Sequence, residues 1–113
     1  MNKKIQKPTP SLRVTGETQT FALIGNPVRH SLSPQMHNAM MAASGTNAVY
    51  VAFEVNPSQA KEVAESIRTL GLSGVNLTVP FKESILPYLD ELTLSAQQAG
   101  AVNAVALRDG RLI

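Results

Sequence analysis

The sequence predicts an α/β fold, a three-layer sandwich with a mostly parallel sheet and a late antiparallel hairpin. Three observations point there. From Thr20 onward, short apolar runs rich in β-branched residues alternate with segments of helical period. Successive strand, helix and strand units call for parallel crossovers, which lay helices on both faces of a sheet. Asp109-Gly110, close to the last residue, is a dipeptide that tight hairpins favour.

Phe21-Ala22-Leu23-Ile24 is a continuous apolar run closed by Gly25-Asn26-Pro27, the pattern of a strand covered on both faces and ended by a turn. Ser33 stands where a helix cap belongs, and Pro34 at the first helical position, where its missing N–H does no harm. Met36, Ala39, Met40 and Ala43 follow at helical spacing; Met36, Met40 and Met41 read as core, His37 as a packing residue, and Gly45 as the stop. Ala48 to Val55 is a second strand, and Asn56-Pro57-Ser58 opens a second helix. In that helix Ala60, Val63, Ala64, Ile67 and Leu70 form an inward stripe, Lys61, Glu62, Glu65 and Arg68 cover the other side, and Gly71 ends it. Gly74 to Val79 is a third strand. Ile85, Leu89, Leu92, Ala96 and Ala99 keep helical spacing, with Pro87 splitting the stretch into two short helices. Ala101 to Leu107 is a fourth strand, which Asp109-Gly110 turns into Arg111-Leu112-Ile113.

A chain of 113 residues is the size of one domain, and 43% hydrophobic residues suffice for a core without staples. The expected division is a flexible polar leader over residues 1–19 and a folded unit over 20–113. Cysteine is absent, which removes disulfides, thiolate nucleophiles and Cys-ligated zinc, and accords with a reducing compartment, the cytoplasm by default. The net charge of +2 traces to Lys3, Lys4 and Lys7 in the leader. The remainder is close to neutral, with few aromatics and no basic stripe, so nucleic acid is not an expected partner. The leader lacks the apolar run of a secretory signal, and no stretch is long enough to cross a bilayer, so no membrane partner is expected.

Compact polar groups sit at the edges of the apolar strands, and in an open parallel sheet ligands bind beyond the carboxyl ends of the strands. Ser31 and Ser33 follow the first strand at the mouth of a helix, where hydroxyls, backbone N–H groups and the positive end of the helix dipole favour a carboxylate. Each alone reads as a turn or cap residue; the pair reads as an anion site. Asn76 and Thr78 alternate with Leu77 and Val79, so a strand aims the polar pair at one face and the aliphatic pair inward. Asn103 repeats the theme on the fourth strand. Lys82, just past Val79-Pro80-Phe81, is placed to exchange a proton with a substrate hydroxyl if its ammonium is desolvated, and it would want a carboxylate partner. His30 reads as holding its turn by a backbone hydrogen bond. No cluster of Cys, His and carboxylates has metal-ligand spacing, so no metal is expected. No Gly-x-Gly-x-x-Gly follows a strand, so cofactor-binding residues are expected to be absent from this chain.

In this order and spacing, Gly25-Asn26-Pro27, His30-Ser31-Leu32-Ser33-Pro34 with His37-Asn38, Gly74 through Lys82, and Ala99-Gly100-Ala101-Val102-Asn103 resemble the amino-terminal substrate-binding domain of the shikimate dehydrogenases. The resemblance runs from about Phe21 to Ile113. It implies that Ser31 and Ser33 hold the shikimate carboxylate, that Thr78 and Asn103 hydrogen-bond the substrate, and that Lys82 both contacts substrate and is catalytic. In such enzymes the lysine acts with an aspartate in proton transfer at the ring hydroxyl. NADPH delivers hydride to 3-dehydroshikimate from a second, Rossmann-type domain, in chorismate and aromatic amino acid biosynthesis.

The sequence departs from that family in two places. Ala104 stands where threonine is usual, and the family continues after the hairpin into a Gly-x-Asn-Thr-Asp-Gly segment that supplies the aspartate and leads to the nucleotide domain. Asp109 lies in the hairpin turn, at the wrong end of its strand to replace it. The expectation is a substrate-binding domain truncated at its C-terminal end, with the Rossmann-type domain absent, no NADP bound by this chain, weak substrate binding and no hydride transfer by the chain alone. Alternatives at this level are a quinate/shikimate dehydrogenase fragment and a non-catalytic shikimate-binding module. Pairing with a separate nucleotide-binding subunit would require an exposed apolar edge, expected near Ile113.

Overall fold

The computed structural model describes residues 13–113. The elements are β1 (Gln19–Gly25), α1 (Ser33–Ser44), β2 (Ala48–Glu54), α2 (Ala60–Leu70), β3 (Gly74–Leu77), α3 (Phe81–Ser84), a 3₁₀ turn (Leu86–Tyr88), α4 (Leu94–Ala99), β4 (Ala104–Arg108) and β5 (Arg111–Leu112). Most of the expected leader lies outside the described residues. Before β1, Thr18 Oγ1 donates to Asn47 Oδ1 at 2.7 Å and Gln19 N–H to the Asn47 carbonyl at 3.1 Å.

The sheet order is β2-β1-β3-β4-β5. β1 pairs in parallel with both β2 and β3, whereas β4 is antiparallel to β3 and β5 to β4. All strands but β4 therefore run in one direction, and the α/β sandwich read from the sequence is the observed architecture. The third connection differs from the expected parallel crossover. A crossover must carry the chain back along the whole sheet, and the segments between β3 and β4, interrupted at Pro80 and Pro87, supply no long helix to do so.

The hairpin is as read: Asp109 and Gly110 have φ of 51° and 76°, the positive values that a two-residue turn matching strand twist requires. Beside the edge expected near Ile113, which is itself half-buried, the chain is tied to the residues before α4. Leu112 is fully buried, its carbonyl accepts from Asp90 and Glu91 N–H at 2.9 and 3.2 Å, and its own N–H donates to Asp90 Oδ2 at 2.7 Å.

Helices lie on both faces. The larger core joins Ala22 and Ile24 of β1, Val75 and Leu77 of β3, Val105 and Leu112 to Ala60, Val63, Ala64 and Ile67 of α2, with Phe81, Ile85 and Val102 closing it. Leu70 is 69% exposed rather than in the stripe, because Gly71 turns the chain in a left-handed conformation and Leu72 enters the core instead. The smaller core on the α1 face gathers Leu23, Val28 and Tyr50, with Phe21, Met41 and Ala52 against them.

α1 is turned relative to the expected stripe. Met36 and Met40 are 63% and 66% exposed, and only Met41 of the three methionines packs inward. The helix is held by polar geometry: the Asn38 side chain bonds both the carbonyl and the N–H of Tyr50 at 2.8 Å, and His37 stacks on the Tyr50 ring with centroids 4.2 Å apart. The two bonds fix which face meets the sheet, overriding the apolar spacing.

Candidate functional site

β1, β2 and β3 are parallel, so their carboxyl ends share one end of the sheet; β4 is antiparallel, so its start lies at that same end. The direction of β4 is what brings Asn103 to the others. Ser31 and Ser33 follow β1, Thr78 and Lys82 follow β3, and Asn103 precedes β4.

The loop after β1 is tied on two sides. Asn26 N–H donates to the Val79 carbonyl at 3.0 Å, and the Asn26 side chain donates to the Val55 carbonyl at 3.1 Å. The peptide bonds Asn26–Pro27 and Val79–Pro80 are both cis. Ser31 N–H donates to the Val28 carbonyl at 3.0 Å, closing the turn that was expected to rest on His30; His30 is exposed and makes no hydrogen bond among the described residues.

Ser33 is not the cap. The cap position is Leu32, in the α region, and Ser33 is already helical, its N–H donating to Ser31 Oγ at 3.1 Å. The reason is local: a serine hydroxyl closes a turn with the N–H two residues on, so Ser31 takes the role one step earlier. The bond uses a lone pair of Ser31, leaving its O–H free to donate. Ser33 keeps its whole hydroxyl free among the described residues. Two donors thus stand half-buried at the positive end of a twelve-residue helix, the arrangement that favours a carboxylate.

β3 ends at Leu77, so Thr78 and Val79 lie in the following turn, and Val79 is 66% exposed instead of inward. Thr78 N–H donates to the Ile24 carbonyl at 3.0 Å, and its own carbonyl accepts from Phe81 at 2.9 Å, which starts α3. Phe81 is fully buried, and Lys82, the next residue, is exposed. The Lys82 carbonyl accepts from Val102 N–H at 2.9 Å, and Leu77 N–H donates to the Asn103 carbonyl at 2.9 Å. Lys82 and Asn103 line a common pocket of about 350 Å³ with Thr93, Ser95 and Ala96. Ser31, Ser33 and Thr78 are not part of that pocket's wall; the Asn26–Val79 bond ties the loop after β1 to the turn after β3, and the Thr78–Phe81 bond leads that turn into Lys82. Asn103 sits before β4 rather than on it, exposed.

Tyr50 and Glu54, not singled out from the sequence, support this site. Buried Tyr50 donates its hydroxyl to Asn76 Oδ1 at 2.8 Å, and Asn76 Nδ2 reaches the Asn103 carbonyl at 3.5 Å. Burial pushes the Tyr50 hydroxyl pKa up, so it stays a donor. Glu54 accepts from Val28 N–H and from Arg29; the Val28 bond, then the Arg29 guanidinium, hold its carboxyl below the usual range. In the sequence Tyr50 and Glu54 are an ordinary aromatic and carboxylate of a β-rich stretch.

Lys82 has no carboxylate ion pair among the described residues. Among the same residues, no three of His, Cys, Asp and Glu stand close enough to hold a metal ion, and no helix is long and apolar enough to cross a membrane. β1 runs into Gly25-Asn26-Pro27 and β3 into Thr78-Val79-Pro80, neither a glycine-rich turn opening directly into a helix. Asp109 is at the far end of β4 from Asn103.

Fold and site together define an α/β small-molecule-binding domain with its polar groups at the carboxyl ends of the parallel strands. The chain belongs to the shikimate dehydrogenase substrate-binding domain family, whose model matches residues 23–105. It is 50% identical over 98 residues to the NADP(+)-dependent shikimate dehydrogenase of Symbiobacterium thermophilum, covering 87% of this chain and 33% of that enzyme. A shikimate dehydrogenase crystallised in complex with NADP+ superposes with a TM-score of 0.88 at 45% identity, over 95% of this chain and 37% of that one. Shikimate 5-dehydrogenase of Listeria monocytogenes, in complex with shikimate and NAD, gives 0.85 at 45% identity, over 90% and 35%. The chain thus spans about a third of the length of the relatives it matches.

Proposed function

We propose that this chain is the substrate-binding portion of an NADP-dependent shikimate dehydrogenase, which reduces 3-dehydroshikimate to shikimate in the cytoplasm. The proposed division is a leader over residues 1–19 and a folded unit over 20–113, with Gln19, the first residue of β1, drawn into the folded unit. The observation that carries the reading is the gathering of the serine loop, Thr78, Lys82 and Asn103 at one end of the sheet, cross-tied by backbone hydrogen bonds.

In this reading Ser31 and Ser33 donate to the substrate carboxylate. Thr78 and Asn103 hydrogen-bond ring hydroxyls and fix the ring's rotation, while Lys82 holds or releases the proton at the hydroxyl being formed. Lys82 is exposed here, and an open cleft keeps water around its ammonium. Binding is therefore weak, and this chain alone does not turn substrate over. NADP belongs to the complete enzyme, and no residue of this chain is assigned to it.

Calorimetry of the purified chain with shikimate, and with its methyl ester, tests the binding. Heat of binding with the acid, with affinity lost for the ester and in a Ser31→Ala/Ser33→Ala variant, is the expected outcome. Equal affinity for acid and ester would remove the serines from carboxylate recognition; no heat with either would overturn binding by this chain.

A further inference from the structure

Glu54 closes β2 at the same sheet end as the serine loop, where a negative charge opposes a carboxylate ligand. Both its oxygens are committed to that loop. Oε1 accepts the Val28 N–H and Oε2 the Arg29 Nε–H, each at 3.1 Å. Val28 is buried, its carbonyl accepts from Ser31, and Ser31 Oγ accepts from Ser33. Hydrogen bonds therefore run unbroken from the Glu54 carboxylate to both serines. The Arg29 guanidinium, on a side chain 79% exposed, offsets the charge of Glu54, whose side chain is 25% exposed. An ion pair this open adds little to stability, so its consequence is the shape it imposes.

We infer that Glu54 is a positioning residue that holds the loop of residues 28–33 in the shape from which Ser31 and Ser33 read a substrate carboxylate. The inference rests on the proposed role of those serines, and it assigns β2, which carries none of the contact residues, a part in recognition.

The test compares the 113-residue chain with its Glu54→Ala and Glu54→Gln variants by two measurements. Amide hydrogen exchange needs no ligand. Glu54→Ala is expected to lose protection at Val28, Ser31 and Ser33 while Leu77 and Thr78 keep theirs, and Glu54→Gln, which retains an oxygen acceptor for Val28, is expected to keep most of it. Shikimate titration followed by NMR is expected to show Kd raised roughly tenfold in the alanine variant, the loss typical of a charge-assisted hydrogen bond, and less in the glutamine variant. Unchanged protection at Val28, Ser31 and Ser33 would overturn the inference, as would uniform loss across the domain in both variants or an unchanged Kd after local loss. If the unaltered chain ignores shikimate, the binding role of the serines fails, and the exchange pattern still decides whether Glu54 shapes the loop.

Discussion

Gly25 sets how closely the turns after β1 and β3 approach. A Cβ there would overlap Thr78 Cγ2 and lie 2.9 Å from Val28 Cγ1 and 3.2 Å from the Val79 carbonyl oxygen. None of these atoms is the free end of a long side chain, so relief requires the Thr78 turn and the serine loop to separate. Gly25→Ala is expected to destabilise the domain by about 1–3 kcal/mol, the cost of overpacking a filled site, and to weaken shikimate binding with it. Urea unfolding and titration of the variant check both. Tyr50→Phe tests the other support. It strands the Asn76 acceptor of a 2.8 Å bond and should cost about 0.5–1.5 kcal/mol by urea unfolding. Ser31, Thr78 and Lys82 were legible in the sequence because each stands at a strand end beside a turn. Glu54 and Tyr50 were not, because a carboxylate at a strand end and an aromatic inside a strand have ordinary explanations, and only the fold reveals their partners.

At the scale of elements, α3 is a single turn whose worth lies in Phe81. The buried ring pins the residue beside Lys82, and Phe81→Ala should cost about 3–5 kcal/mol, a large part of a small domain's stability, by denaturant unfolding. Asp90 joins α2 to β5 by accepting from Arg68 Nη2 at 2.8 Å and from Leu112 N–H. The Leu112 N–H, then Arg68, hold its carboxyl below the usual range. A depressed folded pKa means the unfolded chain takes up the proton first. The contribution is therefore complete above the unfolded value and is lost as pH falls through the folded one. Melting curves across the acid range should show Tm falling with acidification, with a shallower fall in Asp90→Asn; parallel curves would remove Asp90 from the acid response. Helix α2 was legible to within one residue of its stripe because its period is regular and Gly71 stops it. Helix α1 was misread in its facing because two hydrogen bonds from Asn38, invisible to periodicity, choose the face.

For the whole molecule, the alternation of strand and helix foretold the layers and the shared strand ends, which are consequences of chain direction. It did not foretell that β4 reverses. That reversal depends on the broken helical segments between β3 and β4, and it alone brings Asn103 to the sheet end that holds Ser31, Ser33, Thr78 and Lys82. The proposed function makes this end of the sheet a shikimate site. Titrating the isotope-labelled chain with shikimate and following its amide signals tests it directly. Weak, saturable shifts concentrated at Ser31, Ser33, Thr78, Lys82 and Asn103 are expected. A dispersed spectrum that leaves those residues unmoved, or that shifts instead around Phe53 and Leu70 on the α2 side, would contradict it.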